Sequence, residues 1–442
     1  MSEPVGRVLA TEHSNTQEFR VALNDDDYLQ LDDLVVVRTD VPKAGEVSTY
    51  GLVTEVEAIY EGASFESDTH RIAAEGILPA AKARSARVAV TRVDPELWVA
   101  PDPGEDVYRA AGDDRRKALY ADQMGRPLPV GLGRDGEPLY VDLDYFDGRK
   151  GGHMSISGIS GVATKTSFAL FFLRVLMARP DILGEGAANT RVLIFNVKGE
   201  DLLWLDRPNH YFTEEAAVQW QALGVDPAPF RQVSFWAPPR RVSGDVVIPD
   251  TGSRQEGVNV FVWTPRELID QGLLRFLFTD ASDFRNQLTF VEERVRTQLA
   301  RFAIDVAGRP GAVVLRRPAP GGHPRGGAVR AEPEEKVVTD LGSLVEALEP
   351  LLDPADGDPD PTWTGRVQTG TVSAFMRRLY AAVGRVGHLV QAGESRRIDR
   401  DAAQLSVVAI QGLHELGQRF VVGALLDETF RDKERTGQRL PL

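Results

Sequence analysis

The sequence of 442 residues contains no cysteine. This absence excludes disulfide scaffolds, cysteine-ligated zinc, iron–sulfur clusters and cysteine nucleophiles, and it fits a reducing cytoplasm. Long apolar runs are also missing: the longest, at 167–178, is about 12 residues and carries Arg174, too short to span a bilayer. The chain does not open with a basic stretch followed by an apolar one, as a secretory signal would. We therefore expect a soluble, cytoplasmic protein with no membrane partner.

Basic residues are fewer than acidic ones. The chain has 51 basic and 65 acidic residues, a net charge of −14, which argues against a surface that coats nucleic acid nonspecifically. A local basic groove or the lumen of a ring remains compatible with this balance. Three basic clusters, at 115–117, 240–241 and 396–397, could line one, or could lie on solvated faces. The 7 histidines show no zinc-ligand spacing.

The first part of the chain has the pattern of a small β-barrel. Short apolar stretches alternate with turn residues and predict five strands, at 5–9, 19–23, 34–37, 51–58 and 86–93. We therefore predict a barrel over 1–95, followed by a connector over 96–150 in which 106–124 forms a helix.

The remainder has the pattern of an α/β fold. A predicted strand at 154–157 leads through a turn into a helix, whose apolar residues recur at helical period. Apolar runs at 191–197, 233–236, 258–263 and 405–410 predict buried strands of a parallel sheet. We expect this core over 151–264 and 401–442. Predicted helices at 265–305, 340–352 and 371–390 form a helical insert over 265–400, with a loop or disordered stretch at 307–335.

The segment SGISGVATKTS, residues 157–167, lies between the predicted strand and helix. Glycine-containing loops in this context bind phosphate, because backbone N–H groups at the helix N-terminus face the anion. The order Lys165-Thr166 fits a lysine that contacts the β- and γ-phosphates, followed by a hydroxyl that ligates Mg²⁺. We therefore predict ATP and Mg²⁺ as cofactors, with Thr166 as metal ligand and Lys165 as a catalytic residue. The predicted nucleotide-binding residues are Gly158, Ser160, Gly161, Ala163, Thr164, Lys165, Thr166 and Ser167.

The loop departs from the usual G-x-x-x-x-G-K-[ST] spacing. Gly158 precedes Lys165 by one residue too many, and Thr164 stands where the second glycine belongs. The alternative interpretation is a strand–turn–helix corner that carries a surface lysine. Glu200 follows another predicted strand at its carboxyl end, where α/β sites form. We predict a catalytic role for it, at the γ-phosphate or at the attacking water, and a plain turn is the alternative.

Three segments carry a family resemblance. Residues 153–161, HMSISGISG, resemble the H-x-x-I-x-G-x-[ST]-G opening of the HerA and FtsK group of ATPases. Residues 195–200, FNVKGE, are similar to that group's second-strand motif, a hydrophobic residue before D-x-[HK]-G-E, with Asn196 in place of Asp. Residues 407–420 are similar to the ID-x-S-G-L element of HerA proteins, and the barrel is similar to the one that precedes the HerA motor.

The resemblance implies a RecA-like P-loop domain with a helical insert, and a subunit of a HerA-type DNA translocase or helicase. Such proteins form homo-oligomeric, hexameric rings, thread DNA through the lumen and process DNA ends with a NurA-type nuclease. Two alternatives stay open: a related ring ATPase that moves protein or conjugative DNA, and a nucleotide-binding ring scaffold without hydrolysis.

A working motor also needs a Walker B strand that ends in Asp-Glu. The only Asp-Glu pair in the sequence is Asp427-Glu428, in a stretch, 420–430, that has a helical pattern. We interpret it as an exposed pair on a helix, so that the chain reaches Leu442 about where the family's Walker B strand would begin. ATPase activity is therefore left open by the sequence, and a fragment of a motor is one interpretation.

Overall fold

The computed structural model describes residues 3–11, 14–60, 63, 66–75, 81–147, 152–159, 164–243, 246–278, 288–316, 336–355 and 359–436. The chain divides into two compact units, Met1–Ile182 and Leu183–Leu442. It is a mixed α/β protein, with a closed barrel in the first unit and a parallel sheet in the second. No helix in the described ranges is long and apolar enough to cross a bilayer.

The barrel has six strands in the order β1-β2-β5-β4-β3-β6, and all its pairs are antiparallel. The strands are β1 (Gly6–Val8), β2 (Glu18–Leu23), β3 (Leu34–Val41), β4 (Gly45–Tyr60), β5 (Lys82–Asp94) and β6 (Asp106–Arg109). Valine dominates its interior, as expected of β-branched residues on a pleated surface. The five predicted strands are confirmed.

The sixth strand lies where the sequence predicted a helix, over 106–124. Residues 106–109 instead close the barrel by pairing with β1 and β3, and this pairing buries Val107 completely. Only Asp113–Ala118 is helical within that range. This short helix, α2, packs Ala118 against Val36 and Tyr50 on the outside of the barrel. The helical prediction over 106–124 is therefore wrong outside Asp113–Ala118, and at 106–109 barrel closure overrides the local pattern.

Further helices and a β-hairpin follow the barrel strands in the chain. Helix α1 (Glu66–His70) follows β4, and the hairpin of β7 (Pro127–Leu132) and β8 (Pro138–Asp142) follows α2. Helix α3 (Thr164–Ala178) contacts β7, with Phe172 at 6.2 Å from the Phe146 ring, and α4 (Pro180–Leu183) comes next.

The predicted strand at 154–157 is wrong: these residues are irregular and largely exposed. A strand needs a hydrogen-bonded neighbour, and no described residue pairs with them in a sheet.

The second unit is built on a parallel sheet of order β13-β10-β17-β9. Its strands are β9 (Val192–Asn196), β10 (Val233–Ala237), β13 (Val258–Val260) and β17 (Leu405–Ala409). All five residues of the interior strand β17 are buried, as expected of a strand covered on both faces. The predicted parallel sheet is confirmed, and the run predicted at 258–263 forms a strand only as far as Val260.

The described part of the second unit also contains helices and two small antiparallel sheets. The helices are α5 (Glu214–Ala222), α6 (Pro265–Asp270), α7 (Leu288–Phe302), α8 (Leu341–Leu352), α9 (Pro361–Thr364), α10 (Thr369–Val386) and α11 (Glu415–Thr436). The small sheets pair β11 (Pro239–Ser243) with β12 (Val246–Pro249), and β14 (Ala303–Asp305) with β15 (Val313–Leu315) and β16 (Val337–Val338). Short 3-10 helices lie at Leu143–Tyr145, Gly184–Asn189, Asp201–Trp204, Leu273–Leu277 and Gly387–Leu389.

Local sequence explains the best-defined helices. Helix α8 begins at a capping box in which Asp340 and Ser343 satisfy each other's backbone N–H groups. Helix α10 buries Val372, Phe375, Met376, Leu379, Ala382 and Val386, an apolar stripe at helical period.

The loop predicted at 307–335 contains a strand, β15, so that prediction is wrong there, and 317–335 lies outside the described residues.

Candidate functional site

The side chain of Lys165, in the first turn of α3, folds back over the preceding loop. Its ammonium group donates hydrogen bonds to the carbonyl oxygens of Gly158, at 2.9 Å, and Ile159, at 3.3 Å. Helix α3 starts at Thr164, and Thr164, Thr166 and Ser167 are exposed. Three other predicted site residues, Ser160, Gly161 and Ala163, lie outside the described residues.

Gly158 lies close to this first turn. A Cβ added to Gly158 would lie 3.3 Å from Lys165 Cγ and 3.4 Å from Thr164 Oγ1, closer than an ordinary van der Waals contact. The absence of a side chain at Gly158 therefore lets the loop backbone approach the lysine.

This end of α3 is suited to an oxyanion. The first turn of the 15-residue helix contains no acidic residue, so the partial positive charge of the helix N-terminus is not offset there. The first backbone N–H groups of a helix have no intrahelical acceptor. Together with the Lys165 ammonium group, they form a donor set of the kind that binds phosphate.

A second group of predicted residues lies at the carboxyl end of β9, in the second unit. Asn196 is 2% exposed; its side-chain Nδ2 donates to the carbonyl oxygen of Gly199 at 2.9 Å, and its Oδ1 accepts from the Lys198 N–H at 3.4 Å. Gly199 has φ +64°, a conformation that glycine adopts without steric cost. The amide thus closes a tight turn by donating and accepting at once, which a carboxylate cannot do.

Glu200, directly after this turn, holds a loop. Its carboxylate accepts hydrogen bonds from the backbone N–H groups of Gly252, at 2.7 Å, and Ser253, at 2.5 Å. Hydrogen bonding from the Ser253 side chain, and then from these backbone groups, holds the pKa of Glu200 below its usual value despite partial burial. In this arrangement the Glu200 side chain joins segments that are far apart in sequence.

Arg254 fixes the same loop from its other side. Its side chain is 8% exposed; it donates to both carboxylate oxygens of Asp206, at 2.6 and 2.9 Å, and to the carbonyl of Leu203 at 2.6 Å. The guanidinium also lies 4.6 Å from the centre of the Phe235 ring and 5.1 Å from that of Trp204. Arg254 carries no signal in the sequence, because no motif links it to Asp206 and Leu203, about fifty positions away.

The turn after β17 is fixed by side-chain hydrogen bonds. Gln418 Nε2, on α11, donates to the carbonyl oxygens of Ile410, at 3.1 Å, and Leu413, at 3.2 Å. His414 Nδ1 accepts from the Leu416 N–H at 3.1 Å. This turn therefore joins the sheet to α11 in a defined geometry.

The Asp427-Glu428 pair lies on α11, as predicted. The predicted exposure is wrong, since the side chains of Asp427 and Glu428 are only 21% and 11% exposed. Asp427 pairs with Arg275 and Arg431, and Glu428 pairs with Arg397. Both carboxylates are therefore held by arginines.

The predicted site residues thus fall into two groups. Gly158, Thr164 and Lys165 lie together in the first unit, and Glu200 lies in the second. Within the described residues, no three His, Asp or Glu side chains are grouped so that they could hold a metal ion. Neither a scan against protein-family models nor a search of the curated proteins returned a match.

Proposed function

We propose that the loop before α3 binds a nucleoside triphosphate, ATP, with Mg²⁺. The observation that carries this proposal is the position of the Lys165 ammonium group, 2.9 Å from the Gly158 carbonyl at the N-terminus of α3. A bound phosphate would offer this ammonium group charged acceptors in place of neutral carbonyls, and charge-assisted hydrogen bonds are the stronger ones. Gly158 fits the same role, because its missing side chain leaves room beside Lys165 and Thr164.

Three side chains in the first turn of α3, Lys165, Thr166 and Ser167, have a part in this proposal. Lys165 neutralises phosphate charge, and the backbone N–H groups of the first turn of α3, with the Ser167 hydroxyl, donate hydrogen bonds to phosphate oxygens. Thr166 is exposed in that turn and offers the hydroxyl that ligates Mg²⁺ in phosphate loops of this type. The metal, when bound, neutralises charge on the phosphates.

We further propose that the chain is a subunit of a HerA-type DNA translocase ring with a RecA-like fold. The order of elements supports this: a small barrel, then helix α3, and then a parallel sheet with an intervening helical region. DNA in the ring lumen, a hexameric ring and a NurA-type nuclease partner belong to the same proposal. A net charge of −14 is consistent with DNA contacts confined to an inner surface.

The nucleotide affinity of a Lys165→Ala chain tests the proposal. We expect Mg²⁺-ATP to bind ten- to hundred-fold more weakly than to the unsubstituted chain, as charge-assisted contacts of about 1.5–3 kcal/mol predict. Lys43→Asn is the matched control: it removes one positive charge from an exposed barrel turn at φ +70°, which Asn tolerates. Equal affinities for the Lys165→Ala and unsubstituted chains would exclude this loop as the nucleotide site.

One observation favours nucleotide binding without hydrolysis by this chain. The only Asp-Glu pair in the sequence is engaged by Arg275, Arg397 and Arg431, so it does not offer free carboxylates to Mg²⁺ and water. We therefore expect steady-state ATP turnover near background. Robust turnover that Lys165→Ala abolishes would exclude this second candidate function and support the motor.

A further inference from the structure

An open groove of about 480 Å³ lies in the second unit, at the edge of the parallel sheet where its strands begin. Three short segments line it: Arg191 precedes β9, Arg231 and Gln232 precede β10, and Asp401 and Gln404 precede β17. Because these three strands are parallel, the residues before them meet at one edge. The volume lies within the roughly 300–1,000 Å³ of small-molecule sites.

This groove shares no residue with the candidate functional site. Asn196 ends β9 and Glu200 follows it, so both lie toward the carboxyl edge of the sheet, whereas the groove lies at the amino edge. None of the described residues of the loop before α3 lines the groove. A ligand in the groove would therefore contact different side chains from those of the proposed ATP site.

Hydrogen bonds between the strands fix the backbone at this edge. Val233, Leu405 and Val192 are partners across the sheet. One residue earlier, the Gln404 carbonyl oxygen accepts from the Val192 N–H at 2.9 Å, and the Gln232 carbonyl oxygen accepts from the Leu405 N–H at 3.0 Å. The side chains that line the groove thus start from fixed positions. Preorganised groups bind a ligand with less loss of conformational entropy than mobile ones.

The guanidinium group of Arg191 is anchored through Nη1. This nitrogen donates to the carbonyl oxygens of Ala188, at 2.9 Å, and Thr190, at 3.1 Å. Within the described residues, the buried Nε has no hydrogen-bond partner, since the Asp401 carboxylate approaches it only to 3.8 Å, beyond hydrogen-bond reach. Nε and Nη2 form the edge at which arginine binds a carboxylate or phosphate through two hydrogen bonds. A ligand oxygen would supply the acceptor that Nε lacks.

Arg231 adds a second guanidinium group to the groove. It is exposed, and its side chain makes no hydrogen bond or ion pair with another described residue. Among the described residues that line the groove, Asp401 alone is acidic. The groove therefore has one more positive than negative charge, on a chain whose net charge is −14.

The remaining lining residues are small or uncharged. Four of them are alanines, which end at Cβ and leave room: Ala187, Ala188, Ala402 and Ala403. The side-chain amides of Gln232 and Gln404 offer both donors and acceptors. In the part of the chain that the structure describes, no aromatic side chain lines the groove, so a base has no surface to stack on. The Asp401 carboxylate, 89% exposed, would repel a continuous chain of phosphates. These features favour a small anionic molecule over nucleic acid.

We propose that the groove binds a small organic molecule with two oxyanion groups, one at the Nε edge of Arg191 and the other at Arg231. The two arginines precede strands on either side of β17, so their backbones are about 10 Å apart, two strand spacings. A linear dicarboxylate or a sugar bisphosphate carries its charged groups at its two ends, as this arrangement needs. Asp401 competes for Arg191 in the free chain and moves aside when the ligand binds.

Calorimetric titration of the full chain in low-salt buffer tests the proposal. Lys165→Ala is present throughout, so that the loop before α3 does not contribute to phosphate binding. The probes are suberate and fructose 1,6-bisphosphate, and each is paired with a counterpart that lacks one oxyanion group, octanoate and fructose 6-phosphate. Arg231→Gln removes one charge from the groove. Arg309→Gln, the matched control, removes one from an exposed residue outside it that likewise has no side-chain partner among the described residues.

We expect one probe to bind about ten-fold more tightly than its counterpart, and Arg231→Gln to remove that advantage, as the loss of charge-assisted hydrogen bonds predicts. An advantage of suberate identifies a dicarboxylate ligand, and an advantage of the bisphosphate identifies a phosphorylated one. Ala402→Leu keeps every charge but fills the groove, and it should weaken binding of the same probe. Thermal unfolding checks that all variants fold.

Asp401→Asn separates ligand recognition from a structural effect, because it should change the affinity in the opposite direction. It removes the carboxylate that lies 3.8 Å from Arg191 Nε, so we expect the same probe to bind several-fold more tightly. The proposal is overturned if neither probe binds more tightly than its counterpart with one oxyanion group. It is also overturned if Arg309→Gln weakens binding as much as Arg231→Gln, or if Asp401→Asn weakens it.

Discussion

The carboxylate of Glu200 lies 2.5 Å from the backbone nitrogen of Ser253 and accepts its hydrogen bond. A second bond, from the Gly252 N–H at 2.7 Å, engages the other carboxylate oxygen. The residue that the sequence places next to a phosphate thus joins the end of β9 to the loop after β12. Its catalytic role stays a prediction, and its contribution to stability follows directly from this contact.

Replacement of Glu200 by Gln tests that contribution through its pH dependence. The amide of Gln offers one acceptor where the carboxylate offers two, so we expect a lower midpoint of thermal unfolding at pH 7. Because the pKa of Glu200 is held below its usual 4.5 in the folded chain, the stabilisation is present above that value and is lost as the pH falls through the lower, folded pKa. The two chains should therefore converge in stability as the pH falls through the lowered pKa of Glu200. Equal midpoints of thermal unfolding at pH 7 would show that the hydrogen bonds from Gly252 and Ser253 to Glu200 do not stabilise the fold.

Arg254 should contribute more to stability than any exposed arginine near it. Arg254→Ala removes the partner of the Asp206 carboxylate and leaves the Leu203 carbonyl without its donor, so we expect a loss of about 3 kcal/mol in the free energy of unfolding. The matched control is Arg207→Ala, whose side chain is 63% exposed and 3.9 Å from the same carboxylate; its effect should stay within about 0.5 kcal/mol. Urea unfolding measures both, and similar losses would contradict the assignment.

The sequence predicted the parallel sheet because its strands are local apolar runs. The residues of β17 are apolar except for Ser406, and all five are buried. The strand β6 could not be predicted in this way, because its burial depends on distant strands. Val107 is buried only when residues 106–109 pair with β1 on one side and with β3 on the other. The Glu200 and Arg254 contacts were equally hidden, because each joins polar residues about fifty positions apart. Periodicity reports burial along a segment and not its distant partners.

Asn196 stands where the resembling family has Asp, and the two residues should not be interchangeable. Asn196→Asp keeps the shape but replaces the Nδ2 donor with an oxygen that faces the Gly199 carbonyl. At 2% exposure the lost hydrogen bond and the repulsion should cost about 1–3 kcal/mol of unfolding free energy at neutral pH. Denaturant unfolding of this variant beside Asn209→Asp, on an exposed turn, measures the difference. Equal stability of the two variants would show that the Asn196 donor contributes nothing.

Gly158 should control nucleotide binding through its closeness to Lys165. A Cβ at this position would lie 3.3 Å from Lys165 Cγ and 3.4 Å from Thr164 Oγ1, and the two methyl groups of valine would add further atoms to that space. We expect Gly158→Val to displace the lysine from the loop and to weaken Mg²⁺-ATP binding about ten-fold. Ser157→Ala, one residue earlier and exposed, should leave the affinity unchanged. Because Gly158 lies on the surface, the midpoint of thermal unfolding should shift little, which separates a local effect at the loop from a loss of fold. Undiminished affinity in the Gly158→Val chain would mean that phosphate binding does not need the close approach of Gly158 to Lys165.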